Sequence, residues 1–76
     1  MYLFIKKKDL KKLKGLKGVT IFNDIDDLKL FHEYNINVTP TILLMKGSNG
    51  DLFIQKHVCD TIEEIRNLYE NWKNRH

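Results

Sequence analysis

The chain has 76 residues, a formal net charge of +3 and a single cysteine, Cys59. That length makes one domain, residues 1–76, whose stability must come from ordinary aliphatic and aromatic side chains. One thiol rules out an internal disulfide and argues against a secreted disulfide scaffold. No apolar run is long enough to span a bilayer and no signal-peptide layout opens the chain, so the expected compartment is the cytoplasm.

Alanine is absent while Lys, Ile and Asn are abundant. This usage fits an AT-rich source such as low-GC bacteria, their phages and plasmids. Charge is unevenly spread. Residues 1–17 hold seven lysines against one acid, Asp9, whereas the remainder is acidic on balance. The basic excess is therefore confined to one short segment.

In chain order, Met1 to Ile5 is a compact apolar run expected to form a buried central strand. Asp9 reads as an N-cap, with Leu10, Leu13 and Leu16 at three-residue spacing giving a helix of about two turns that Gly15 and Gly18 weaken and end. Val19 to Phe22 reads as a second strand. Asn23 or Asp24 is expected to cap the next helix, with Asp26 and Asp27 in its first turn and Ile25, Leu28, Leu30 and Phe31 as its apolar stripe. Asn35 marks its end. Thr41 to Met45 and Leu52 to Gln55 form an antiparallel hairpin about the turn-rich stretch 46–51. Asp60 followed by Glu63 looks like a capping box for a last helix, which Ile62, Ile65, Leu68, Tyr69 and Trp72 line on one face. The expected order is β-α-β-α-β-β-α, an α/β layer fold without linker, repeat or low-complexity segment.

The stretch Tyr34-Asn35-Ile36-Asn37-Val38-Thr39-Pro40-Thr41-Ile42-Leu43-Leu44 resembles the thioredoxin segment running from the second core helix into the third strand. There a tyrosine, an aliphatic two residues on, and Pro-Thr open an apolar strand. The acidic cluster Asp24, Asp26, Asp27 and the hairpin turn Asn49-Gly50 are also similar to the family pattern, and the short chain is closer to a glutaredoxin in size. The resemblance covers about residues 19–73. It implies a thioredoxin-like fold, a four-stranded mixed sheet flanked by three helices, with a cis bond between Thr39 and Pro40. Proline is the residue for which that geometry costs least.

The chain departs from the family where its chemistry resides. Aligning Leu3–Ile5 with the family's first strand puts Leu10 and Leu13 near the two positions of the Cys-x-x-Cys pair, so no thiolate stands there to be activated by a helix N-terminus. Dithiol reduction is therefore excluded by this reading. Cys59-Asp60-Thr61 is similar to the motif with which glutaredoxins hold the γ-glutamyl end of glutathione, and Lys7 or Lys8 could meet a peptide carboxylate. The expected groove then joins Lys7, Thr39, Pro40, Cys59 and Asp60. Against glutathione, His57-Val58 replace the family's glycine pair.

The lysine-rich segment, with Lys7, Lys8, Lys11 and Lys12 at its centre, is suited to an acidic protein face. Nucleic acid is a weaker partner class, since no arginine or exposed aromatic is interleaved with the lysines. His32, His57 and His76 have no metal-ligand spacing. The resulting expectation is a non-catalytic thioredoxin-like interaction protein, for example a phage or mobile-element accessory that binds a host protein through the Pro40 rim and the first-helix lysines. The alternatives are a glutathione-binding or monothiol protein centred on Cys59, and a nucleic-acid binder.

Overall fold

A computed structural model describes residues 1–48 and 51–74. Four strands, β1 (Tyr2–Ile5), β2 (Thr20–Asn23), β3 (Thr41–Ser48) and β4 (Asp51–Val58), form one mixed sheet in the order β2-β1-β3-β4. Strand β1 runs parallel to β2, with Tyr2 opposite Thr20, and antiparallel to β3, with Tyr2 opposite Leu43. Strands β3 and β4 pair antiparallel from Thr41 opposite Val58 to Ser48 opposite Asp51, an unbroken register without a bulge. The turn expected at Asn49-Gly50 lies outside the described residues, as does His76.

Strand β1 is central because its residues are apolar on both faces, and Leu3, Phe4 and Ile5 are all fully buried. Side-chain alternation then divides the core. On one face Leu3 and Ile5 join Ile42, Leu44, Cys59 and Ile65, covered by Leu10, Leu13, Leu16, Ile62, Leu68 and Trp72. On the other, Phe4 and Leu43 join Phe31 and Ile36, with Tyr2, Phe22, Leu30 and Tyr34 packed around them. The second cluster is aromatic, with Phe4 edge-on to Phe31 at 5.1 Å between ring centroids and Tyr2 edge-on to Phe22 at 5.3 Å.

The first expected helix is not α-helical. A 3-10 helix spans Lys7–Lys12, entered from Lys6, and Asp9 lies inside its first turn instead of capping it. Leu10 and Leu13 still face the core, because residues three apart eclipse on a 3-10 helix. Beyond it the chain turns through Gly15 and Gly18, both at positive φ.

The second helix, α1 (Leu28–Glu33), starts later than the acidic cluster suggests, with Asp27 at its N-cap. Asn23 closes a separate turn first. Its Oδ1 accepts from the N–H groups of Ile25 and Asp26, while its own N–H donates to Asp27 Oδ2. This side-chain competition with the backbone delays the helix. It also leaves Ile25 and Leu28 exposed, so the expected stripe reduces to Leu30 and Phe31. Asn35 ends the element as expected. It adopts φ 55°, its N–H donates to the His32 carbonyl, and the Ile36 N–H donates to that of Phe31. Those two bonds form the double closure of a left-handed helix end, with Ile36 packing on Phe31.

The last helix, α2, runs Ile62–Asn74 and presents Ile65 and Tyr69 to the core. Its cap is Thr61, one residue after the expected Asp60. Thr61 Oγ1 accepts from the Glu64 N–H at 3.3 Å, and Glu64 Oε2 accepts from the Asp60 N–H at 3.2 Å. Among the described residues, no helix is long and apolar enough to cross a membrane.

Candidate functional site

Strand β1 ends at Ile5, and the chain enters the 3-10 turn at once, the Asp9 N–H donating to the Lys6 carbonyl at 2.9 Å. That tight reversal presents Lys6, Lys8, Asp9 and Lys12 along one wall of an open groove. The opposite wall is the start of α2, with Asp60, Thr61 and Ile62, and Thr39 and Pro40 lie between the walls. The groove encloses about 300 Å³.

The Pro40 segment is held from both sides. The Thr39–Pro40 bond is cis, as the resemblance implies. The Pro40 carbonyl accepts from the Cys59 N–H at 2.8 Å, which ties the loop to the junction of β4 and α2. The Thr41 hydroxyl donates to the Val38 carbonyl and satisfies a buried polar side chain.

Electrostatically the groove is mixed. Lys12 Nζ lies 3.4 Å from Asp9 Oδ1, and the carboxylate is the more buried partner, its side chain 22% exposed against 64% for Lys12. The ammoniums of Lys6 and Lys8 and the carboxylate of Asp60 have no ion pair or hydrogen bond among the described residues. Because Thr61 performs the capping, the Asp60 carboxylate is not consumed by the helix.

Of the site residues expected from sequence, Lys8, Lys12, Thr39, Pro40 and Asp60 converge on this groove. Lys7 does not. Its N–H donates to Asp24 Oδ1 at 2.9 Å and its Nζ pairs with Asp26 at 3.4 Å, so it clamps the end of β1 to the turn after β2. The hydrogen bond from the Asn23 side chain, followed by the Lys7 ammonium, lowers the Asp26 carboxyl below its ordinary range. Lys7 lines a separate hollow of about 480 Å³ with Lys6, Lys8, Asp24 and Ile25. Lys11 is exposed and lines neither.

Cys59 is also absent from the groove wall. It is 2% exposed and belongs to the core cluster with Leu3 and Ile65. Burial, then the charges of Glu64 and Asp60, push its thiol above the ordinary range. A sulfur so placed is protonated and enclosed, the opposite of an attacking thiolate. Leu10 and Leu13, expected at the dithiol positions, are half-buried and pack on the same cluster. No cluster of metal-ligating side chains occurs among the described residues.

Lys6, Asp9, Thr61 and Ile62 line the groove without having been expected there. Lys6 stands where the chain leaves β1 for the 3-10 turn, so strand alternation gives no signal for its place in the groove. Comparison with family models, with curated proteins and with solved structures finds no match for this chain.

Proposed function

We propose that this chain is a non-catalytic, thioredoxin-like interaction protein that docks a protein partner across the groove between the 3-10 helix and the start of α2. The observation that carries the reading is the convergence of Lys6, Lys8 and Lys12 with Thr39, the cis Pro40 and Asp60 on one open surface. Lysines there attract an acidic partner face and accelerate encounter. The cis Pro40 loop offers backbone beside which an extended segment can lie. The enclosed, protonated Cys59 and the leucines at the dithiol positions favour binding over thiol chemistry. The mixed four-stranded sheet with three helices supports the resemblance at the level of α/β class, and the thioredoxin-like part of the reading rests on analogy of fold.

The test is affinity capture on the immobilised chain, with charge-reversed variants. Lys8→Glu with Lys12→Glu should abolish retention of a specific partner protein, whereas Lys11→Glu should retain it. Equal retention by all variants would remove the groove from the interaction. Retention of nucleic acid that declines steeply with salt would move the function to the alternative partner class.

A further inference from the structure

The groove is not a uniformly basic trough. Three lysines line it, but two carboxylates interrupt them, Asp9 on the 3-10 wall and Asp60 on the α2 wall. Asp9 already engages Lys12 at 3.4 Å. Its backbone is held by the N–H bond to the Lys6 carbonyl at 2.9 Å, and its side chain is less exposed than that of Lys12, 22% against 64%. Lys6 and Lys8 remain as the groove cations without an ion partner among the described residues.

From this arrangement we infer that Asp9 is a specificity-determining residue, which tunes the groove to an extended segment carrying an isolated carboxylate and rejects an acidic tract. The inference rests on the proposed docking function and narrows the partner's chemistry. A single carboxylate needs only one of the Lys6 and Lys8 ammoniums and need not compete with Asp9 for Lys12. A run of carboxylates must place at least one beside Asp9 or Asp60, where like charges oppose it, and must compete with Asp9 for Lys12. Asp9 acts here through Lys12 and through repulsion. It is a selectivity residue without a catalytic part.

The experiment titrates the folded chain with two probe peptides, acetyl-Gly-Gly-Glu-Gly-Gly-amide and acetyl-penta-glutamyl-amide, following amide chemical shifts at residues 6–12, 39–41 and 60–62. The wild type should bind the single-glutamate peptide at least as tightly as the pentaglutamate, despite the latter's larger charge. Asp9→Asn should strengthen pentaglutamate binding about two- to fivefold, the range of an exposed ion-pair contribution, and leave the single-glutamate peptide within a factor of two. Adding Lys12→Gln to Asp9→Asn should cancel most of that gain, because the released ammonium is its source. An unchanged melting temperature in Asp9→Asn separates selectivity from folding. A wild-type preference for pentaglutamate, or an Asp9→Asn variant with no selective gain, overturns the role of Asp9 while leaving the docking groove standing. Absence of shifts in the groove with either peptide at millimolar concentration overturns the docking reading and this inference together.

Discussion

Gly18 holds φ at +83°, and a Cβ built there would meet only the edge of the Trp72 ring, at 3.5 Å from Cη2. That is ordinary contact, so the constraint at this position is the backbone and not space. Gly18→Ala should therefore cost about 1–2 kcal/mol, the penalty of a left-handed L-residue, measured as a lower urea midpoint with unchanged slope. Cys59 makes a pH prediction at the same scale. Its folded thiol ionises above the ordinary value of 9.0, so the native state favours the protonated form. The associated stability is complete below the unfolded thiol's pKa and is lost as pH rises through that value toward the folded one. Wild type should lose unfolding free energy above about pH 9 more steeply than Cys59→Ala. Equal slopes in denaturant titrations across that range would show that the thiol does not contribute. Iodoacetamide should label Cys59 slowly in the native state and rapidly in urea.

Among the elements, α2 does more than cover the sheet. The Tyr69 hydroxyl accepts from the Lys17 N–H and donates to the Lys17 carbonyl, each at 3.1 Å, and so fastens the glycine-bearing segment before β2 to the helix. Tyr69→Phe should cost about 1 kcal/mol and increase hydrogen exchange at the Lys17 amide, because water can replace the lost partners at that exposed residue. Thr61→Ala should cost about 1 kcal/mol through the lost cap. An equal loss from Asp60→Ala would return the capping role to Asp60.

These elements also show how far sequence reading reaches. Strand order along the chain, the double-faced burial of β1, the end of α1 at Asn35 and the apolar face of α2 were all legible, because each follows from local patterning or one residue's backbone preference. The 3-10 segment is not legible in the same way. Leucines spaced strictly by three match a period of 3.0 as well as one of 3.6, and only packing decides between them. Asn23 diverted the acidic cluster into a turn through bonds to residues two and three onward, which spacing does not reveal. At the groove, Lys8, Lys12, Thr39, Pro40 and Asp60 could be grouped from the expected layout. Lys7 and Cys59 could not be placed, since one depends on which way a side chain leaves a strand end and the other on packing depth.

At the scale of the whole molecule, one sheet divides two clusters that share β1 and β3. Because Leu3 and Phe4 are adjacent and face opposite ways, neither cluster can loosen without disturbing the strand that supports the other. Unfolding should thus be a single cooperative event. Trp72 is the sole tryptophan and reports one face by fluorescence. The other holds the Tyr2, Phe4, Phe22, Phe31 and Tyr34 rings, which contribute to near-ultraviolet circular dichroism. The two signals should share one urea midpoint, and separated midpoints would show that the faces unfold independently.

The central position of β1 carries a kinetic consequence. Its partners are remote in the chain, Thr20 on one side and Leu43 on the other, whereas β3 and β4 are joined as a hairpin. Loop-closure entropy must be met before β1 contacts repay it, so its insertion between β2 and β3 is expected late on the folding pathway. Stopped-flow chevrons would then show Leu3→Ala acting mainly on the unfolding arm, with Ile42→Val shared between both. The strand that holds the native sheet together would be the one contributing least to the rate at which that sheet assembles.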